Sequence, residues 1–114
     1  MVEQIHNSNL SEILKAVSDP TRRALLTQLC QQGTSRVTDL ANFYDMSLNA
    51  VSKHLKVLEK ASLIKRIKIG RVHWIEANLK DFVEVKKWFD ELQSIWDLRL
   101  SKLEQVLAKG EEND

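Results

Sequence analysis

A single cysteine, Cys30, stands in the whole chain of 114 residues, so no intrachain disulfide can staple this fold. That scarcity agrees with a reducing compartment. No apolar run approaches the roughly 20 residues that cross a bilayer, and the segment from Met1 to His6 lacks the basic stretch and apolar core of a secretory signal. These absences predict a cytoplasmic protein with no membrane partner. Also missing are a glycine-rich phosphate loop, a nucleophile elbow and a convincing acid/base pair, so neither an enzyme nor a cofactor is expected. The histidines His6, His54 and His73 have no cysteine or histidine beside them at a ligand spacing, which predicts no metal site. What remains is 43% hydrophobic residues, enough for one core, and a single domain is expected over 1–109 with a flexible tail at 110–114.

Charge is sparse in sum and uneven in place. The net charge is only +1, yet between Lys53 and Ile75 seven basic residues face Glu59 alone, a local +6. From Glu76 onward acids outnumber bases, so that half should repel a polyanion.

Leu10, Ile13, Leu14 and Val17 recur at helical spacing, and Asn9 with Glu12 has the form of a capping box, predicting a first short helix that starts there. Asp19-Pro20 reads as a cap followed by proline at the first helical position; Ala24, Leu25, Leu26, Leu29 and Cys30 form the inner face and Gly33 the end. On that face Cys30 is expected to be a small core residue. Ser35 should cap a third short helix bearing Val37, Leu40, Ala41 and Tyr44 on one stripe, and Asp45-Met46 leaves a tight turn before Ser47 caps a fourth.

The fourth helix, about Leu48 to Lys60, has two unlike faces. Val51, Leu55 and Leu58 make a buried stripe, while Asn49, Lys53, Lys56 and Lys60, joined by Ser52, make a polar and basic one. Two helices joined by so short a turn match the helix-turn-helix plan, here spanning 36–60, in which the second helix enters a major groove. Beyond Ala61-Ser62 the period shortens to the β-branched runs Leu63 to Ile69 and Val72 to Glu76, parted by Gly70-Arg71. Glycine first in a two-residue loop suits a type II′ hairpin, giving a wing over 63–76. Lys65, Lys68 and Arg71 could reach phosphates from it. Asn78 should then cap a last helix over 79–109, unbroken by glycine or proline and roughly 45 Å long at 1.5 Å per residue. The preceding body cannot cover all of its apolar residues. The expected architecture is therefore mostly α with a small β-hairpin: a winged helix-turn-helix of about five helices, a two-stranded wing and a long C-terminal dimerisation helix.

With these elements in place, the chain from about Leu10 to Leu107 resembles the ArsR/SmtB family of dimeric winged-helix repressors. The resemblance is carried by Leu14-Lys15-Ala16-Val17-Ser18-Asp19-Pro20-Thr21-Arg22-Arg23, Val37-Thr38-Asp39-Leu40-Ala41, Ala50-Val51-Ser52-Lys53-His54-Leu55-Lys56-Val57-Leu58 and the wing around Gly70-Arg71. Trp88 and the run Trp96 to Glu104 are similar to the branch with an extended C-terminal helix and no metal site. The departures matter too. Where metal-sensing members carry two cysteines this chain has Arg36 and Thr38, no histidine follows His73, and Leu48 replaces a frequent glutamine. Ser62 stands where the family usually has glycine, which makes that helix exit less comfortable.

The resemblance and the patterning together imply a homodimeric repressor, unresponsive to metals, on an inverted-repeat operator of double-stranded DNA, with any small-molecule effector unknown. Leu48, Asn49, Ser52 and Lys53 are expected at base edges. Ser47, Lys56, Lys68 and Arg71 are expected on phosphates, with His54 beside the buried stripe making a backbone or phosphate hydrogen bond. Phe82, Val85, Phe89, Leu92, Trp96 and Leu103 are the expected dimer interface. Two other readings stay open at this point: a winged-helix protein-interaction module, and a repressor in which Cys30 is an intermolecular thiol sensor. Trp74 in the wing could stack on a base or pack on the body.

Overall fold

The computed structural model describes residues 2–112, with side chains described from Asn9 to Gly110. The elements run α1 (Val2–Ala16), α2 (Pro20–Gln32), β1 (Ser35–Arg36), α3 (Val37–Phe43), α4 (Leu48–Lys60), β2 (Ile64–Ile69), β3 (Val72–Ala77) and α5 (Phe82–Glu112). They form two compact units, one ending at Val83 and the other beginning at Glu84.

Helix α1 begins well before Asn9, so Asn9 is an interior residue and not the expected cap. Nothing between Val2 and Ser8 breaks a helix, and extending an existing helix is easier than nucleating a new one. Its far end is closed from α2. The Arg22 guanidinium donates to the carbonyls of Ala16 (2.6 Å) and Lys15 (3.2 Å), and Arg23 donates to that of Val17 (2.7 Å). Cations here also suit the negative end of the helix dipole.

Asp19 caps α2 as expected, its Oδ2 accepting from the Arg22 backbone N–H at 3.0 Å, with Pro20 at the first helical position. The buried face differs from the expected one. Leu25, Gln28 and Leu29 are buried, while Cys30 is exposed and is not a core residue. The Gln28 Oε1 accepts no hydrogen bond from any described residue. A rotation of the helix by part of a turn separates the two faces, and α2, with only Ala24 and Leu26 beside its central leucines, carries too weak a stripe to fix that angle alone.

Ser35 does not cap α3; it belongs to β1, and its Oγ donates to the Gly33 carbonyl at 3.0 Å. β1 pairs antiparallel with β3 at Ser35↔Ile75 and Arg36↔Trp74, making a three-stranded sheet in the order β1-β3-β2 where the sequence suggested two strands. Leu40, Val51, Leu55, Leu58, Leu63 and Ile75 are almost wholly inaccessible and centre the core on α4 and the base of the hairpin. Each such side chain stabilises the fold by roughly 1.5–3 kcal/mol relative to an exposed one.

Asn78 does not cap the last helix either. Its Nδ2 donates to the Ser62 carbonyl (3.0 Å) and its backbone N–H to that of Leu63 (2.7 Å), tying the outgoing strand to the exit of α4. Helix α5 therefore starts at Phe82, after a turn closed by the Phe82 N–H on the Leu79 carbonyl (3.1 Å). It continues through Gly110 to Glu112, so the helix takes up the first three residues of the expected tail. Asn113 and Asp114 lie outside the described residues.

Candidate nucleic-acid interface

The turn between α3 and α4 is a helix C-cap built without glycine. Asp45 sits in the left-handed region at φ 51. Its N–H donates to the Asn42 carbonyl (3.3 Å), and the Met46 N–H donates to that of Ala41 (3.0 Å). This six-to-one closure turns the chain sharply, and aspartate tolerates the conformation better than most residues. Ser47 then caps α4, its Oγ accepting from the Ala50 N–H at 3.1 Å. The end of α3 is fixed from below, because the Tyr44 hydroxyl donates to the Ala24 carbonyl at 3.0 Å. Burial holds that phenol above its ordinary pKa.

Burial of Val51, Leu55 and Leu58 sets the rotation of α4. The opposite side then points outward, with Asn49, Lys53, Lys56 and Lys60 exposed; Ser52 on its flank is half-buried, and Leu48, at the start of the helix one turn before Val51, is exposed. Leu48 is a large apolar side chain 51% exposed at the first helical position, a place where a solvated helix would carry a polar one. His54 behaves differently from its neighbours. It is half-buried and faces the cap of α2, its Nδ1 3.8 Å from Asp19 Oδ2. The Asp19 carboxyl lies below its usual pKa, first because the Arg22 backbone N–H bonds it and then through the nearby charges of Arg22 and His54.

The wing follows a C-cap of the same kind. Ser62 adopts φ 62, its N–H donates to the Glu59 carbonyl (2.9 Å), and the Leu63 N–H donates to that of Leu58 (3.0 Å). β2 and β3 pair from Ile64↔Ala77 to Ile69↔Val72, leaving Gly70-Arg71 as the two-residue loop. Gly70 has φ 63 and Arg71 does not share the positive φ, as a type II′ turn requires. Register decides which cations share a side. Lys68 lies opposite His73 and Arg66 opposite Ile75, so Arg66, Lys68 and His73 stand on the face that carries the buried Ile75. Lys65, paired with Glu76, and Trp74, paired with Ile67, stand on the other face. The Arg66 guanidinium is held by Glu59 across a 3.7 Å ion pair.

Where α3, α4 and the wing converge there is a cleft of about 420 Å³. Arg36, Thr38, Arg66 and His73 reach it along with Arg71, Leu48 and Ser52. Sequence reasoning assigned no contact to Arg36, Thr38 or His73. Only β1, which brings residue 36 beside residue 74, places them together.

Of the expected interface residues on α5, Phe82, Phe89, Leu92, Trp96 and Leu103 are exposed, whereas Val85 is buried within the chain at 3% exposure. Trp88 packs edge-on against Phe89, ring centroids 5.0 Å apart. Among the described residues no group of histidine, cysteine and carboxylate side chains is clustered to hold a metal ion. Arg36 and Thr38 do not fit the thiolate site of metal-sensing family members: the guanidinium of Arg36 is bound to both oxygens of Asp39 and has no lone pair to donate. No helix among the described residues is long and apolar enough to cross a membrane.

A tight helix-turn-helix followed by a two-stranded hairpin defines a winged helix-turn-helix protein. The comparisons narrow the class. A family model described as a helix-turn-helix domain matches residues 17–67. The crystal structure of an ArsR family transcriptional regulator is 36% identical, covering 80% of this chain and 93% of that one with a TM-score of 0.74. The transcriptional repressor SdpR of Bacillus subtilis is 29% identical over 79 residues, which is 69% of this chain and 87% of SdpR. The homodimeric winged helix-turn-helix DNA-binding domain Mb0332 of Mycobacterium bovis shares the fold at 21% identity and a TM-score of 0.64, over 86% of this chain and 87% of that one. The chain belongs to the ArsR family of transcriptional regulators, which are DNA-binding proteins and not enzymes.

Proposed function

We propose that this chain is a homodimeric repressor that binds an inverted-repeat DNA operator and does so without a metal. The observation that carries the DNA side of the reading is the outward face of α4. Leu48, Asn49 and Lys53 are exposed beside Ser52 on a helix whose rotation is locked by three buried residues, so together they face any groove that receives α4. Leucine matches a thymine methyl, asparagine an adenine edge and lysine a guanine edge. Ser47, Lys56, Lys68 and Arg71 surround that face and take phosphates, which fix register without reading sequence. His54, turned toward Asp19, braces α4 against α2.

The dimer rests on α5. Phe89, Leu92, Ile95, Trp96, Leu103 and Val106 are all exposed, several by more than half, over a helix of 31 residues. A continuous apolar surface of this kind marks an interaction site, and a second copy covers it with its own equal. A two-fold dimer suits an operator whose half-sites lie about 34 Å apart, on successive major grooves. Mb0332 is described as homodimeric and SdpR as a repressor, and both agree with this reading.

Selection of duplexes from a random pool by the purified chain tests the proposal in one step. Enriched sequences should share two symmetric half-sites one helical turn apart. A pool that stays random at near-physiological salt rejects DNA reading and favours a protein-interaction module built on the same fold.

A further inference from the structure

The proposed docking has a geometric consequence. If α4 lies in a major groove and the wing reaches the adjoining minor groove, one sugar-phosphate strand separates the two grooves and must pass between those elements. The surface between them is the cleft of about 420 Å³, and among the described residues that line it none is acidic.

Its chemistry suits that strand. Arg36 enters from the cap position of α3, Thr38 from its first turn, and Arg66, Arg71 and His73 from the wing. Two of these arginines already face a carboxylate. Asp39 holds Arg36 at Nε (2.9 Å) and Nη2 (3.1 Å), leaving Nη1 open, and Glu59 holds the Nε of Arg66. A guanidinium positioned before binding loses less rotamer freedom on meeting a phosphate. Neither Asp39 nor Glu59 lines the cleft. Val37 and Val72 add apolar surface to the lining, against which a deoxyribose ring can pack.

We propose that this cleft is a phosphodiester site, and that Arg36, Thr38 and His73 contact the DNA strand running between recognition helix and wing. This rests on the reading of α4 as a groove-binding helix. It adds a third line of contact, made by α3 and the sheet, to the helix and the wing tip.

The test uses the full chain, a duplex selected from the random pool and a scrambled duplex of equal length. Arg36→Gln should lower affinity for both alike and reduce the slope of log K against log salt by about one contact, roughly 0.9. Thr38→Glu places a carboxylate in the cleft and should weaken both duplexes by at least about tenfold, with helical circular dichroism unchanged. Inorganic phosphate at matched ionic strength should displace DNA no better than chloride. Unchanged slope in Arg36→Gln together with unchanged affinity in Thr38→Glu overturns the cleft site, even where Lys53→Ala still relaxes base preference. Displacement by inorganic phosphate beyond that by chloride overturns it in favour of a free-anion site. A wild-type chain that binds neither duplex removes the groove reading itself, and the cleft with it.

Discussion

The Asn78 side chain donates a 3.0 Å hydrogen bond to the carbonyl of Ser62, the residue that leaves the recognition helix at φ 62. One bond thus joins the end of the wing to the end of the helix that precedes it. Both elements of the proposed interface are held to a common base, with the Leu63 carbonyl accepting a second bond from the Asn78 backbone.

Ser62→Gly should stabilise the protein. The left-handed conformation costs a residue with a Cβ roughly 1–2 kcal/mol, and glycine gives back part of that gain through its freer unfolded chain. A net gain of about 1 kcal/mol is expected, read as a rise of roughly 4–8 °C in the thermal midpoint. The carbonyl that Asn78 bonds is retained. An unchanged or lower midpoint would mean that the serine side chain contributes something its backbone angle does not reveal.

Asn78→Ala should have the opposite effect, losing about 1 kcal/mol for a half-buried bond. The loss should be local. Hydrogen exchange should quicken first at the backbone amides of Leu63 and Asn78 and only later in α2.

Lys53→Ala and Arg71→Ala should separate reading from holding. Lys53 faces outward from α4 and Arg71 sits exposed at the wing turn. The first should reduce discrimination at one base position by about 1–3 kcal/mol. The second should weaken all sequences alike and lower the salt slope by about 1. Titrations on selected and scrambled duplexes at several salt concentrations distinguish the two behaviours.

Trp96→Glu should make the chain monomeric in sedimentation without unfolding it, since Trp96 is 60% exposed. A charge buried at a two-fold seam meets its own copy and is strongly disfavoured. DNA binding should then fall to the level of a single half-site. A variant that stays dimeric would move the seam off this part of α5.

Acid should weaken the start of α2. The Asp19 carboxyl has a pKa lowered in the folded state, chiefly by the Arg22 N–H. Its contribution is therefore present above the unfolded value of about 3.9 and is lost as the pH falls through the lower, folded value. Asp19→Asn keeps a good capping residue but removes the titration. Its urea midpoint should change less between pH 5 and pH 3 than that of the wild type, by roughly the difference that this one carboxylate makes.

Local signals settled much of this protein before any tertiary contact was known. Asp19-Pro20 and Ser47 start helices because each supplies an oxygen to a free N–H within three residues, and Gly70-Arg71 closes the hairpin because its first position needs φ > 0. The strong contrast between the two sides of α4 likewise fixed which face is buried and which is presented. Tertiary structure decided the rest. The same kind of cap signal failed at Asn9, Ser35 and Asn78, where a longer helix, a strand and a helix exit claimed the residue instead. β1 is two residues long and exists only because Ile75 lies 40 positions away to pair with Ser35. No local pattern encodes such a pairing, and with it the grouping of Arg36, Thr38 and His73 at one cleft was hidden as well. On α2, whether Gln28 or Cys30 turned inward was set by the surfaces it packs on, because the helix has too few strongly apolar residues to choose its own rotation.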